Sequence, residues 1–202
     1  MTAVSETYRD DQASKFGMWL FLFTEMLLFG GLFIVYSVYR FRNADAFHLA
    51  SEELSVTVGT VNTIILLVSS ATIAMSVTAI RKQDRKTALL LLGTTALLGL
   101  AFLVNKYFEW GEHIGEHIYP GSSVLATRGQ GDVLFYGLYY FMTGLHALHI
   151  IVGLVFMGFV IVFISTNRIN SGKYVMLENC GLYWHLVDMI WIFLFPLFYL
   201  IT

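Results

Sequence analysis

The sequence predicts an all-α integral membrane protein, built as a bundle of five transmembrane helices. Of its 202 residues, 57% are hydrophobic and only 13% are charged, whereas roughly a quarter of the residues of a soluble domain are charged. Apolar runs of about 20 residues, the length that crosses a bilayer, recur along the chain with short polar breaks. We therefore expect a polar N-terminal segment, residues 1–15, followed by a single transmembrane domain, residues 16–202.

The polar breaks divide this domain into its helices. Arg40 and Arg42 close the first span, since their long side chains can reach the membrane surface. A tight basic turn at residues 81–86 forces the second and third spans to run antiparallel. The fourth is longer than a bilayer requires, so we expect it to tilt or to begin outside the hydrocarbon core. The predicted spans are residues 16–39, 56–80, 87–110, 132–165 and 179–201.

Basic residues predict the orientation. Five spans place the two termini on opposite sides of the membrane, and the side richer in Lys and Arg normally faces the cytoplasm. We therefore expect the N-terminus inside and the C-terminus outside. Eight basic residues share the N-terminal side and four the other: Arg9, Lys15, Arg81, Lys82, Arg85, Lys86, Arg168 and Lys173 against Arg40, Arg42, Lys106 and Arg128.

Composition also excludes several classes of protein. The formal net charge of -2 provides no basic patch for nucleic acid. Cys180 is the only cysteine, which excludes an internal disulfide, a cysteine zinc site and an iron–sulfur cluster. The N-terminus lacks the features of a cleaved signal peptide, so we expect the first span to remain in the mature protein. No phosphate-binding loop, nucleophile motif or cofactor fingerprint is present.

The last span carries the most informative polar residues. His185 and Asp188 lie one turn apart, with Trp184 and Trp191 beside them. Ionisable side chains at membrane depth cost a few kcal/mol, so they normally face a protein interior. Because residues at i and i+3 share a helix face, we expect the Asp188 carboxylate to lie near the His185 imidazole and to fix its tautomer.

Two carboxylates stand out in the earlier spans. Glu25 is isolated near the middle of the first span. It is either a neutral carboxyl that hydrogen-bonds a neighbouring helix or a group close to a proton path, and both interpretations remain open. Glu109 lies at the membrane boundary, where we expect it to pair with Lys106 at i, i+3 as a structural contact.

Two histidine motifs raise the question of a metal. His146 and His149 have the spacing HxxH, but rings on one helix face do not supply axial ligands on opposite sides of a haem. Interhelical hydrogen bonds near Gly144 and Gly153 are the favoured interpretation. Residues 112–117 contain two Glu and two His at zinc-compatible spacing, but glycines within that stretch favour a solvated loop. We predict no metal ligand.

Four segments resemble one known family. Residues 178–195 resemble the last helix of subunit III of haem–copper oxidases, in which a Glu precedes a Tyr-Trp-His-Phe-Val-Asp-x-x-Trp run. Residues 141–153 are similar to that family's Thr-Gly-x-His-x-x-His-x-x-x-Gly helix. Residues 24–33 and 61–70 resemble its Ser-Glu-x-x-Phe-Phe and Asn-Thr-x-x-Leu-Leu-x-Ser segments. The segments occur in the family's order, and the resemblance covers residues 15–201.

The resemblance implies a non-catalytic core subunit of a respiratory terminal oxidase, a complex that reduces O2 to water and pumps protons. Its partners would be subunit I, which carries haem and copper, together with subunit II and membrane lipid. This chain would hold no redox centre, would bind phospholipid and would support proton uptake. The expected location is the bacterial cytoplasmic membrane.

The resemblance also assigns roles to residues. Glu25 matches the family's carbodiimide-reactive carboxyl, and no residue is expected to be catalytic or to bind a metal. The chain lacks the first two helices of the longer seven-helix form, so the lipid cleft of that form would need another chain. The residues expected to make lipid or interhelical polar contacts are Asn62, Glu109, His146, His149, Glu178, Trp184, His185 and Asp188.

Alternatives remain at this point. The partner can instead be a quinol oxidase or a nitric oxide reductase, with this chain as an accessory subunit. A different class is a membrane anchor that binds b-type haem through His146, His149 and His185. A third class is a transporter or proton channel that uses Glu25, Glu109 and Asp188.

Overall fold

The computed structural model describes residues 2–201, with the side chains of residues 11–201. Within that range the chain is helical and contains no β-strand, which confirms the predicted fold class. Five of its helices are long and apolar enough to cross a membrane. The helices are α1 Thr2–Arg42, α2 Ala44–Glu52, α3 Val56–Arg81, α4 Arg85–Gly115, α5 Ser123–Arg128, α6 Gln130–Ser165 and α7 Val175–Tyr199.

Two features near the N-terminus differ from the predicted helix boundaries. The first helix begins at Thr2, so the polar N-terminal segment continues into the first span without a break; Met1 and the side chains of residues 2–10 lie outside the described part. A short helix, α2, occupies the polar connection after Arg42. The inside-to-outside orientation stays a prediction.

The expected solvated loop at residues 112–117 is wrong in its first half. Helix α4 continues through Glu112 and His113 to Gly115, and Glu116 is its C-cap. Gly in a helix costs only about 1 kcal/mol relative to Ala, and the packing of α4 against α3 and α6 offsets that cost. Within residues 11–201 no group of three or more His, Cys, Asp or Glu side chains can hold a metal ion.

Capping residues explain where the antiparallel pair α3 and α4 begins. Ser55 accepts a hydrogen bond from the Val58 amide at the start of α3. Asp84 accepts from the Thr87 amide at 3.1 Å and from the Thr87 hydroxyl at 2.6 Å at the start of α4. These hydrogen bonds lower the pKa of the Asp84 carboxyl. Side-chain oxygens at these positions satisfy backbone donors that a helix leaves free.

The C-terminal helix α7 forms the centre of the bundle. It packs against α3, α6 and α1, and α4 packs against α3 and α6. The Trp184 ring fills a slot between two glycines: a Cβ atom would lie 2.7 Å from the ring at Gly99 and 2.9 Å from it at Gly153. Its indole nitrogen donates to Ser69 Oγ at 2.9 Å. Trp184 therefore joins α7 to α3, α4 and α6.

Candidate functional site

A buried charged cluster joins α4, α6 and the end of α7. Lys106 Nζ donates to Tyr199 at 2.7 Å, to Tyr139 at 3.0 Å and to Glu109 Oε1 at 3.2 Å. Both tyrosine hydroxyls in turn donate to Glu109 Oε1, that of Tyr139 at 2.5 Å. The lysine and glutamate side chains are only 2% and 4% exposed. The i, i+3 pair predicted from the sequence is present, and the two tyrosines extend it across helices.

The geometry of this cluster explains how an ammonium group is held at such depth. An ammonium has three N–H donors, and all three are used here. The Lys106 nitrogen also lies 4.8 Å and 5.3 Å from the ring centroids of Tyr139 and Trp191, within cation–π range. Burying a charge is tolerable only when it is paired and hydrogen-bonded in this way. The cluster therefore joins α4, α6 and α7 in the interior of the bundle.

A second polar contact joins the peripheral helix α1 to α6. His149 Nε2 lies 2.9 Å from Glu25 Oε2, and His149 Nδ1 lies 2.7 Å from the Leu145 carbonyl oxygen. Since a carbonyl only accepts, Nδ1 must carry a proton. A neutral ring then accepts at Nε2 from a protonated Glu25; otherwise the pair is an imidazolium with a carboxylate. In both forms the pair is neutral overall and holds one shared proton.

The expected pairing of His185 with Asp188 is wrong. His185 Nδ1 contacts the Ser70 hydroxyl of α3 at 2.5 Å. Neither carboxylate oxygen of Asp188 has a hydrogen-bond partner among residues 11–201, although the residue is buried. The two side chains share one face of α7, but this face packs against α3, and the imidazole contacts a hydroxyl group of that neighbouring helix. Asp188 therefore makes no direct hydrogen bond to His185.

His146 differs from His149 in its surroundings. Its ring is fully buried between Phe102 and Trp191, with centroids 5.5 Å and 5.3 Å away. Neither ring nitrogen has a hydrogen-bond partner in the described part of the chain. In a separate contact between α3 and α4, Asn62 Oδ1 accepts a hydrogen bond from Asn105 at 2.8 Å. The HxxH motif thus places one histidine in an aromatic cage and the other on Glu25.

Glu178 forms an ion-paired cluster at the opposite end of the bundle. It binds Lys15 at 2.7 Å and also Arg81, which joins α1 and the start of α7 to the end of α3. These residues border a groove of about 460 Å³ that also includes Trp19 and His185. Basic groups at one end and an apolar wall beyond them give the groove an amphipathic character.

One cluster near the start of α6 was not predicted from the sequence. Arg128 donates to both carboxylate oxygens of Glu53 at 2.7 Å and 2.9 Å, and Tyr136 donates to the same carboxylate at 2.6 Å. Partial burial raises the pKa of Glu53, but the hydrogen bonds from Tyr136 and Arg128 outweigh it and leave the pKa below its ordinary value. The partners are far apart in sequence, so periodicity carries no signal for them.

Comparison with known proteins gives one consistent family. Residues 5–202 match the family model described as Cytochrome c oxidase subunit III. A relative from Thermostichus vulcanus, "Cytochrome c oxidase subunit 3", is 31% identical over 99% of this chain and 93% of its own length. A "Probable quinol oxidase subunit 3" from Staphylococcus haemolyticus is 27% identical over 99% of this chain and 94% of its own length.

A fused relative adds information about chain organisation. A "Heme-copper oxidase subunit I+III" from Aeropyrum pernix is 29% identical over 91% of this chain, and the match covers 22% of that longer protein. In that relative, a segment similar to this bundle forms part of a larger polypeptide.

Proposed function

The chain belongs to the cytochrome c oxidase subunit III family, and we propose that it is a non-catalytic subunit of a haem–copper terminal oxidase in a bacterial cytoplasmic membrane. The family match over residues 5–202 carries this proposal. Five membrane-length helices agree with the role of a multi-pass membrane subunit. In the complex, subunit I would carry haem and copper and reduce O2, while this chain would stabilise it.

The donor groups of the bundle support the assignment of haem and copper to a partner. His149 uses both ring nitrogens within the chain. The His146 ring has no hydrogen-bond partner among residues 11–201, but it is buried between the rings of Phe102 and Trp191. A bis-histidine haem anchor would need two such nitrogens free and facing each other across a porphyrin. This arrangement favours the subunit III role over the haem-anchor alternative.

Association with subunit I is the proposed structural role. The fused relative named "subunit I+III" supports a direct contact between the two kinds of subunit. The outer face of α1 supplies a large apolar surface for a membrane neighbour, since only 11% of the residues in its most apolar window are buried. Subunit II and further respiratory subunits would complete the complex.

Phospholipid binding is the second proposed role. The groove at Lys15, Arg81 and Glu178 has basic groups at a membrane surface and apolar residues such as Val77 and Leu182 beyond them. A phosphate near the cationic side chains with acyl chains along the apolar wall would match this pattern. The positive end of the groove lies on the N-terminal side, which we propose to be cytoplasmic.

Support of proton uptake is the third proposed role, assigned to Glu25. Its carboxyl shares one proton with His149, so the pair can exchange that proton between two sites without a net change in charge. Such a pair would relay a proton between its two sites beside a catalytic neighbour while leaving the chemistry to it. We propose that Glu25 is also the carbodiimide-reactive carboxyl of this chain.

The electron donor of the complex is the remaining choice. Relatives of similar identity are named as subunits of cytochrome c oxidases and of quinol oxidases, so both donors are candidates. Affinity purification of the tagged chain from its native membrane should yield a complex that contains haem and copper and consumes O2. Its activity with reduced cytochrome c or with quinol then identifies the donor.

The same purification tests the alternatives. A complete complex without haem and copper would overturn the proposal, and a partner that reduces nitric oxide would assign the chain to that enzyme. Flux of protons or ions through liposomes that contain only this chain would instead support a transporter. Loss of that flux in Glu25→Gln would locate its path.

A further inference from the structure

An acidic cavity opens between the start of α3 and the end of α4, away from the Glu178 groove. Its volume is about 290 Å³. The α4 side contributes Asn105, Glu109, Glu112 and His113, which lie on one helix face by their i, i+3 and i+4 spacing. The contacts described so far use only part of this polar lining.

Two buried polar atoms in the lining have no hydrogen-bond partner within residues 11–201. They are Glu109 Oε2 and His113 Nδ1. Both residues are more than nine-tenths buried, at 6% and 7% exposure. Leaving a buried polar atom unpaired costs about 1–3 kcal/mol. The opposite oxygen of Glu109 already accepts from Lys106 and two tyrosines, so the cavity side of the carboxylate is the one that lacks a donor.

The charges of the lining favour a cation. Lys106 pairs with Glu109, and Arg128 pairs with Glu53, which leaves Glu112 as an uncompensated carboxylate at the mouth. His113 with its proton on Nε2 presents Nδ1 as a further acceptor. The cavity therefore offers acceptors from three neighbouring side chains and one excess negative charge.

The spacing of the acceptor atoms indicates which kind of cation the cavity binds. No three of the described acidic, histidine or cysteine side chains can hold a metal ion, because metal ligands must converge to about 2.0–2.6 Å. An ammonium nitrogen sits farther from its acceptors, at about 2.7–2.9 Å, and carries three N–H donors. We propose that this cavity binds a primary ammonium group through Glu109, Glu112 and His113.

The remaining walls indicate what the ammonium group is attached to. Val58, Val61 and Phe108 line the cavity, and the last two are 45% and 66% exposed on the outer surface of the bundle. An apolar substituent would continue onto that surface. Ser55 and Thr57 at the first turn of α3 add hydroxyl groups and a helix N-terminus, which favours a nearby anion such as a phosphate. The group can therefore come from a small amine or from an ethanolamine lipid headgroup.

The test uses the full chain in nanodiscs of phosphatidylcholine, whose choline group has no N–H donor. The thermal midpoint is measured during titration with n-butylammonium chloride and, separately, with tetramethylammonium chloride. We expect a saturable rise with n-butylammonium only. Glu112→Gln should weaken that binding about tenfold, as for loss of one charge-assisted hydrogen bond. Glu116→Gln, an exposed change outside the lining, should leave it unaltered.

A second variant guards against nonspecific effects of charge. Val61→Trp fills the cavity mouth without altering a charge, and it should abolish the response to n-butylammonium. Equal stabilisation by tetramethylammonium, an unsaturable response, or equal behaviour of Glu112→Gln and Glu116→Gln would overturn the proposal.

Nanodiscs that contain phosphatidylethanolamine distinguish the two sources. If the lipid headgroup occupies the cavity, these discs should raise the midpoint of the wild type but not of Glu112→Gln, and added n-butylammonium should have no further effect. If a small amine is the ligand, the n-butylammonium response should persist in them. This result is independent of the proposed function, because co-purification with a haem- and copper-containing partner tests subunit identity without reference to this cavity.

Discussion

The last and the first membrane helices have opposite positions in the bundle. In α7, 56% of the residues in the most apolar window are buried, against 11% in α1. Yet α7 carries His185 and Asp188, whereas the outer face of α1 is lined by large apolar side chains such as Trp19 and Leu27. In a soluble protein the more polar helix would lie outside; here the surrounding lipid reverses that rule.

The difference teaches where each helix obtains its stability. The α7 helix is held by shape and by polar contacts on several sides, including the Trp184 slot and the bond from Tyr199 to Glu109. The α1 helix has a few attachment points along one face, among them Glu25 to His149 and the Tyr36 hydroxyl to the Leu197 carbonyl. Substitutions at the contacts of α7 should therefore affect folding, whereas those at the contacts of α1 should mainly affect function.

The largest effect is expected at the buried charged cluster that α4 forms against the end of α7. Lys106→Met leaves Glu109 as a buried, unpaired charge and should lower the free energy of unfolding by about 3–5 kcal/mol. The double variant Lys106→Met with Glu109→Gln should recover most of this loss, because neither charge remains. Denaturant titration of the reconstituted chain measures both. Lys82→Met, at an exposed turn, serves as the control, and an equal loss there would contradict the central role of the cluster.

A smaller loss is expected where α7 meets α6. Gly153→Ala would place a methyl group 2.9 Å from the Trp184 ring and should cost about 1–3 kcal/mol through overpacking. Gly158→Ala on the same helix meets no neighbouring atom within 4 Å and should be neutral or slightly stabilising. The thermal unfolding midpoints of the two variants, each compared with the wild type, measure this difference. If both behave alike, the slot around Trp184 is looser than its geometry indicates.

The α1 side of the comparison is tested at Glu25. Glu25→Gln keeps a hydrogen-bond donor for His149 but removes the exchangeable proton, so stability should change by less than about 1 kcal/mol. In the purified oxidase, initial turnover should remain largely intact while its persistence shortens several-fold. Oxygen consumption followed over many turnovers measures both quantities. Immediate and complete loss of turnover in an assembled complex would show that Glu25 takes part in the chemistry itself.

The smallest effect is expected outside the spans, at Glu53. Its pKa is lowered in the folded chain, so its contribution to stability is present above the ordinary value of 4.5 and is lost as the pH falls through the folded value. Because the carboxylate is 41% exposed, the contribution should stay under about 1 kcal/mol. The difference in midpoint between wild type and Glu53→Gln should shrink from pH 6 to pH 3.5. Glu116→Gln provides the pH control.

The fold could be predicted from the sequence because the bilayer sets the length and composition of each membrane span. The pair of Lys106 with Glu109 could also be predicted, since both residues lie on one helix and their spacing fixes the distance between them. The predicted pairing of His185 with Asp188 was wrong. The two residues share a helix face, but the partner of His185 is Ser70 on another helix. The bonds between Glu25 and His149 and between Glu53 and Arg128 depend on how helices are placed side by side, which periodicity does not encode.

The central position of α7 has a consequence for biosynthesis. This helix, Val175–Tyr199, follows α3, α4 and α6 along the chain, yet Trp184 and Tyr199 fill sites lined by those three helices. Until it is inserted, Lys106 lacks one of its hydrogen-bond acceptors and the slot between Gly99 and Gly153 stays open. Chains that terminate early would present this unfinished interior to membrane proteases. Insertion of α7 is thus the step that closes the bundle.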